Sequence, residues 1–235
     1  MYKYIFILIF IFPIVVFSQT AEDYLQLGLA KIAEGNYKSA IVEFSKSLKI
    51  NPNLGDAYIH RGNSKRELGD FRGAITDFNH ALNINPNAAE TYNCRGEIYN
   101  ILGHYQDAIS DFNQTIHINK KHATAYYNRG NSHQATGSYR AAIKDYLKAL
   151  AINTSYPEAY FELGNVYYVQ GKYQEAITNF DSAISLKSDF SKVYIARGVA
   201  KIKTGEHDDG CNDLTKAQEL GDKGVHAMIQ LYCEK

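Results

Sequence analysis

The 235-residue sequence has no tryptophan, only three cysteines and four prolines, and no excess of either charge. Three cysteines are too few to build a disulfide scaffold. With 25 basic and 25 acidic residues, the chain lacks the positive charge that is typical of a nucleic-acid-binding domain. A composition of 45% hydrophobic and 21% charged residues excludes a disordered chain, a collagen-like chain and a membrane protein with many spans.

Long apolar runs are also scarce, and the N-terminal one is short. Lys3 precedes an apolar run, Tyr4–Phe17, of 14 residues. A bilayer span needs about 20 apolar residues, whereas the core of a signal peptide needs about 7–15. We therefore expect a signal peptide at residues 1–18 with cleavage after Ser18, so that the mature chain is exported to the periplasm or secreted. An uncleaved N-terminal anchor is the alternative.

Glycine and tyrosine are present in a strict period of 34 residues. The three tracks are Gly28, Gly62, Gly96, Gly130, Gly164 and Gly198; Gly35, Gly69, Gly103, Gly137, Gly171 and Gly205; and Tyr24, Tyr58, Tyr92, Tyr126, Tyr160 and Tyr194. A fixed period of this length indicates a repeat architecture. The period divides the domain at 19–235 into six repeats, at 21–54, 55–88, 89–122, 123–156, 157–190 and 191–224.

Each repeat has the pattern of two helices joined by a tight turn. In the second repeat Tyr58 and Gly62 fall on one helix face, and Gly69 can adopt the left-handed conformation that ends a helix. An apolar stripe at helical spacing follows, and it stops near Pro86, which cannot continue a helix. One such hairpin cannot bury its apolar surface alone, so the repeats are expected to stack.

These residues resemble the tetratricopeptide repeat. Tyr58 with Gly62, then Ala74 with Phe78, then Pro86 follow that family's pattern. The resemblance implies an all-α, right-handed α-solenoid of six helix hairpins, with residues 225–233 as a C-terminal capping helix. It also implies a concave groove that holds peptides or proteins.

Arginine and aspartate recur together, sixteen residues apart. We interpret them as ion pairs inside each hairpin, and the alternative is a row of arginines that lines a groove for acidic partners. Repeats with Leu27 and Leu163 at the arginine position have Glu43 and Asn179 in place of the aspartate. The predicted pairs are Arg61–Asp77, Arg95–Asp111, Arg129–Asp145 and Arg197–Asp213.

Motifs of catalysis or metal binding do not appear in the sequence. There is no HExxH, GxSxG or CxxC motif, and the eight histidines form no pair four residues apart. We therefore predict no catalytic residue, no metal site and no cofactor. Antiparallel packing of the last helices would bring Cys211 and Cys233 together, which predicts a disulfide in an oxidising compartment. Two reduced core thiols are the alternative.

The groove is the one candidate site. The family resemblance places the outward positions of each first helix on the concave surface, and asparagine there can bond both donors and acceptors of a peptide backbone. The aromatic members either contact a partner or pack on neighbouring first helices. The predicted contact residues are Asn63, Arg66, Asn93, Tyr127, Asn131, Gln134, Phe161, Asn165 and Tyr168.

We therefore expect a non-catalytic scaffold that binds a protein or peptide in the bacterial cell envelope. After cleavage of the signal peptide it would have no membrane span, and no nucleic acid is expected as a partner. The alternatives are a membrane-tethered envelope assembly factor that keeps its N-terminal anchor, and a helical-repeat nucleic-acid binder, which the neutral charge opposes.

Overall fold

The computed structural model describes residues 19–234, which form helices and no strand. The signal-peptide prediction concerns residues 1–18, which lie outside this range. The first helices of the six hairpins are α1 (Ala21–Ala33), α3 (Gly55–Glu67), α5 (Ala89–Ile101), α7 (Ala123–Ala135), α9 (Pro157–Val169) and α11 (Ser191–Thr204). The second helices are α2 (Tyr37–Ile50), α4 (Phe71–Ile84), α6 (Tyr105–Ile118), α8 (Tyr139–Ile152), α10 (Tyr173–Leu186) and α12 (His207–Glu219). This architecture confirms the all-α solenoid that the 34-residue period predicts.

The two helices of a hairpin approach closely at the first glycine track. A Cβ atom added to Gly62 would lie 2.9 Å from Cε1 of Phe78, and the Phe78 side chain is fully buried. Real Cβ contacts are longer than this, so a larger residue would push the helices apart. The first-track glycines therefore set the distance between the helices.

The second glycine track closes the first helix. Gly69 has a φ of 78°, which glycine adopts without strain. The Asp70 N–H then donates to the Lys65 carbonyl oxygen at 2.9 Å, which satisfies one of the last carbonyls of α3. The Asp70 side chain accepts from the Gly73 N–H at 2.9 Å and so caps the start of α4. One short segment thus ends one helix and begins the next.

Asparagine shapes the turns between the first five repeats. Its Oδ1 accepts a hydrogen bond from the N–H two residues further on, at 3.0–3.1 Å, which is the local bond of an Asx turn. Pro52 and Pro86 follow only the first two of these asparagines. The turns therefore keep one geometry where proline is missing. The asparagines are Asn51, Asn85, Asn119 and Asn153.

The hairpins stack so that the first helices line one face. Each first helix from α3 onward packs between the second helix of its own repeat and that of the preceding repeat, and consecutive first helices also contact one another. The apolar clusters cross the repeat boundaries: Tyr146 and Leu150 of α8 pack with Ala159 and Leu163 of α9. Each repeat therefore completes the core of its neighbour. We call the face formed by the first helices the inner face.

The C-terminal end of the stack is covered by a short helix. A 3₁₀ turn, Lys223–Val225, leads into α13 (His226–Tyr232). Val225 is fully buried. A disulfide joins Cys211 of α12 to Cys233, with Cα atoms 5.7 Å apart. Within residues 19–234, no helix is both long and apolar enough to cross a bilayer.

Candidate binding surface on the inner face

Four arginines connect neighbouring repeats. Arg61 donates from Nε and Nη2 to both carboxylate oxygens of Asp77, at 2.9 and 2.7 Å. Its Nη1 donates to Ser45 Oγ in α2, the second helix of the preceding repeat, at 3.1 Å. We call this unit an arginine clamp. The other clamps are Arg95 with Asp111 and Asn79, Arg129 with Asp145 and Asn113, and Arg197 with Asp213 and Asp181.

The clamps favour the structural interpretation of the arginine track. Asp77 is only 1% exposed, so its charge depends on Arg61 and on Lys65, whose Nζ lies 2.8 Å from the carboxylate. Burial alone would lower the pKa of Arg197, but the hydrogen bonds and charges of Asp213 and Asp181 outweigh burial and raise it. The clamp arginines are therefore engaged inside the molecule and are not presented to a partner.

On the inner face, Glu97 connects three first helices. It accepts from Arg66 of α3 at 3.2 Å, from Asn93 of its own helix α5 at 2.9 Å, and from Asn128 of α7 at 3.1 Å. Arg66 and Asn93 were predicted to contact a partner. The structure instead shows both with a hydrogen bond to Glu97, and Asn93 is only 3% exposed. The predicted contact residues Arg66 and Asn93 are thus part of a hydrogen-bond network inside the protein.

The network continues along α7 and α9. Tyr146 places its hydroxyl 2.8 Å from Asn131 Oδ1 and 2.7 Å from Gln134 Oε1. Because a hydroxyl has one proton, it can donate to only one of these oxygens. Gln134 and Asn165 both donate to the carboxylate of Glu162, at 3.2 Å each. Asn131, Gln134 and Asn165 therefore lie on one connected surface.

All three aromatic residues predicted to contact a partner pack within the protein, and the Tyr168 ring lies 5.2 Å from that of Tyr173, centroid to centroid. The Tyr127 ring lies 4.9 Å from Tyr156 and 6.0 Å from Tyr146, centroid to centroid. Burial raises the pKa of Tyr127. Phe161 packs in the same way against Phe180 and Phe190. Their partners lie on the second helix of the same repeat or in the turn that follows it.

Two amide oxygens on the inner face have no partner. Asn63 Oδ1 on α3 and Asn93 Oδ1 on α5 are buried, and no hydrogen-bond donor among residues 19–234 reaches either atom. The helices that carry them contact each other. An unpaired buried acceptor costs about 1–3 kcal/mol. Both oxygens are closed to solvent, so this cost is internal to the inner face and neither atom is an accessible contact for a ligand.

A small pocket lies further along the same face, between α9 and α11. Asn165, Tyr168, Ala196 and Val199 line a volume of about 210 Å³. The Asn165 amide donates to Glu162, and its Oδ1 has no donor within the described residues. The pocket thus combines apolar walls with one amide oxygen, which suits a side chain next to a backbone N–H.

The sequence prediction missed three members of this surface. Asn128, Ser132 and Glu162 hydrogen-bond to neighbouring first helices, yet they fall between the outward positions that the family resemblance indicated. Asn128 and Glu162 both lie two residues after the track tyrosine, a position that the family resemblance does not place among the outward ones. The signal was a polar residue at one register position in two successive repeats.

The described part of the chain has no group of side chains arranged for metal binding or for thiol chemistry. Within residues 19–234, no three histidine, cysteine, aspartate or glutamate side chains are grouped as ligands for a metal ion. Cys94 is a free cysteine and is buried in α5. Burial raises the pKa of its thiol to about 11, so the thiol is protonated at neutral pH and a poor nucleophile.

The fold and this face define a helical-repeat protein with a polar inner surface. Family models of the tetratricopeptide repeat match residues 22–54, 62–100, 96–137, 135–171 and 157–190. A MamA protein is 33% identical, over 72% of this chain and 92% of that one, with a TM-score of 0.65. The chain therefore belongs to the tetratricopeptide repeat family.

Less similar solved structures show the same fold. PilF of Pseudomonas aeruginosa is 18% identical, with a TM-score of 0.78 over 92% of this chain and 97% of that one. YrrB, described as a TPR protein with an unusual peptide-binding site, is 19% identical, with a TM-score of 0.66 over 80% of this chain and 97% of that one. A comparison with curated proteins finds no match.

Proposed function

We propose that this chain is a non-catalytic scaffold that holds an extended segment of another protein along its inner face. The observation that carries this proposal is the open pocket between α9 and α11, where the predicted contact residues Asn165 and Tyr168 meet Ala196 and Val199. An extended peptide offers side chains that can fill such a pocket and backbone N–H donors for the Asn165 amide oxygen. The peptide-binding site described for YrrB supports the proposal by analogy of fold alone.

The pocket between α9 and α11 gives this scaffold a means of selecting a side chain. Its volume of about 210 Å³ holds one apolar side chain of a bound segment, while Asn165 Oδ1 accepts from the adjacent backbone. Tyr168 supplies an aromatic wall of the kind that is enriched in binding hot spots. Recognition would then combine a side-chain anchor between α9 and α11 with a backbone hydrogen bond to Asn165.

Removal of these groups from the inner face tests the proposal. The variant Asn63→Ala/Asn165→Ala/Tyr168→Ala should lose partner binding but keep its helix content. The matched control changes three exposed polar residues of second helices and should bind as wild type. Those residues are Asn83, Gln174 and Asn212. A photo-crosslinker at position 168 should capture the partner in cells, and one at position 83 should not. Equal capture at both positions would refute binding of the partner on the inner face.

We further propose that the protein acts in the bacterial cell envelope, as an exported periplasmic or secreted protein. The apolar run before Ser18 and the Cys211–Cys233 bond support this, since disulfides persist in oxidising compartments. N-terminal sequencing of the cellular protein should return Gln19. Recovery of Met1 from a membrane fraction would instead favour the tethered assembly factor.

A further inference from the structure

The neutral net charge hides a strong asymmetry between two adjacent repeats. The fourth repeat (123–156) has four basic residues and one acidic residue, a net charge of +3. The fifth repeat (157–190) has two basic and five acidic residues, a net charge of −3. The one acidic residue of the fourth repeat, Asp145, is buried and bound by Arg129. The outer surface of this repeat therefore has uncompensated positive charge.

That charge lies on one face of α8. Arg140, Lys144, Leu147, Lys148 and Ala151 are all exposed and recur at helical spacing. We call them the α8 surface. Among the described residues, the three cations of this surface form no ion pair within 4.0 Å. The opposite side of α8 is buried in the core, so the α8 surface points away from the inner face.

An open cavity adjoins these cations. It has a volume of about 550 Å³, and its wall consists of Lys144, Leu147, Lys148 and Ala151 of α8, Ile116 of α6, Tyr126 of α7 and the clamp pair Arg129 and Asp145, whose charges compensate each other. Leu147 is 49% exposed. The cavity therefore offers an apolar contact between two lysines, whose aliphatic stems can extend it.

Leu147 also differs from its equivalents in other repeats. At the same position, Ser45, Asn79, Asn113 and Asp181 each accept from the clamp arginine of the following repeat. The fifth repeat has Leu163 in place of that arginine, so no clamp arginine donates a hydrogen bond to position 147. An exposed aliphatic side chain thus replaces a polar acceptor beside the basic residues.

We infer that the α8 surface is a second docking site, for an acidic segment of a partner protein that inserts one aliphatic or aromatic side chain into the cavity. Carboxylates of the segment pair with the α8 cations. The −3 charge of the fifth repeat disfavours the same segment on the adjacent surface. Since α8 faces away from the inner face, both sites can be occupied at once, and the protein can bridge two partners.

A charge-reversal variant with a matched control tests the inference. Lys144→Glu/Lys148→Glu reverses two charges of the α8 surface. Lys38→Glu/Lys49→Glu makes the same change of net charge on α2, where both lysines are exposed and form no ion pair within the described residues. Circular dichroism checks that each variant keeps its helix content.

The probe is a labelled synthetic peptide with one Leu between runs of Asp and Glu, and binding is followed by fluorescence anisotropy. Wild type and the α2 variant should bind it equally, whereas the α8 variant should bind about tenfold more weakly, and raised salt should weaken all binding. Replacement of the peptide Leu by Ser should also weaken binding to wild type. The inner-face variant Asn63→Ala/Asn165→Ala/Tyr168→Ala should bind normally, which separates this site from the proposed groove.

Several results would overturn the inference. They are no binding at about 1 mM peptide, an equal loss in the α2 and α8 variants, or an equal affinity for the Ser peptide. A single-stranded oligothymidine or phosphatidylglycerol vesicles that bind as tightly as the Leu peptide would point to a polyanion or a membrane. Self-association that the α8 reversal abolishes would make a second copy of the chain the occupant.

Discussion

At the residue scale, the arginine clamps show how the chain keeps charge in its interior. An arginine is present where an aspartate can pair with it, and Leu163 is buried at 2% exposure where the partner position is Asn179. A buried pair adds little net stability, but removal of one partner leaves an uncompensated charge. Arginine and aspartate are therefore kept or replaced together.

Substitution of one clamp member should destabilise more than substitution of both. Arg129→Leu leaves the Asp145 carboxylate, 4% exposed, without its bidentate partner, and we expect a loss of about 3 kcal/mol. The double variant Arg129→Leu/Asp145→Asn reproduces the combination found at Leu163 and Asn179, and we expect it to lose less. Urea unfolding of both variants and wild type measures this, and equal losses would contradict it.

The sequence predicted two of the three members of each clamp. Arg61 and Asp77 belong to tracks in which arginine and aspartate recur and are replaced together, so their pairing is visible in the sequence. The third member is Ser45 in one clamp, asparagine in two and aspartate in the last. These types share only an acceptor oxygen, so a search by residue identity does not find them.

At the element scale, α13 depends on its covalent attachment. The helix has seven residues, none of them fully buried, and isolated helices of this length are unstable in water. Met228, Ile229 and Tyr232 pack partly against the cluster around Leu214. The bond from Cys211 to Cys233 closes a loop with a sequence separation of 22.

Loss of this bond should release the capping helix. The variant Cys211→Ser/Cys233→Ser should lose about 3 kcal/mol by the chain-entropy model, and the amides of α13 should exchange faster in deuterated solvent. Reductant should lower the melting temperature of wild type and leave that of the variant unchanged. If the variant and wild type melted at the same temperature, both with and without reductant, packing alone would hold α13 in place.

The sequence predicted where the helices end, but it did not predict against which residues the aromatic rings of the inner face pack. The glycine tracks predict where helices end, because a positive φ and a close approach are local requirements. Tyr127 and Phe161 lie on first helices as expected. Their rings, however, pack against Tyr156 and Phe190, which belong to the turns between repeats. The path of those turns depends on the stacking of whole repeats.

At the scale of the whole molecule, the stack is one-dimensional. Within residues 19–234, the extensive contacts of each repeat are with its neighbours along the chain, so stability is close to a sum of repeat and interface contributions. The first repeat has one such interface, and the fourth repeat has two. The disulfide supports the other end of the stack.

Hydrogen exchange should therefore differ along the chain. Amides of α1 and α2 should exchange through openings of lower free energy than those of α7 and α8, because an end repeat breaks one interface when it opens. Mass spectrometry of the exchanging protein resolves these helices. Identical opening energies at the end and in the middle would indicate a single cooperative unit.

The arginine clamps also restrict how the gene for such an array can rearrange. Position 147 is Leu, and the repeat that follows it has no clamp arginine. Asp181 in the fifth repeat, by contrast, accepts a hydrogen bond from Arg197 in the sixth repeat. Deletion of the fifth repeat would place Arg197 beside Leu147 and remove an acceptor. The repeats are therefore not interchangeable modules, and duplication, loss or shuffling of one would have to be matched by a change in its upstream neighbour.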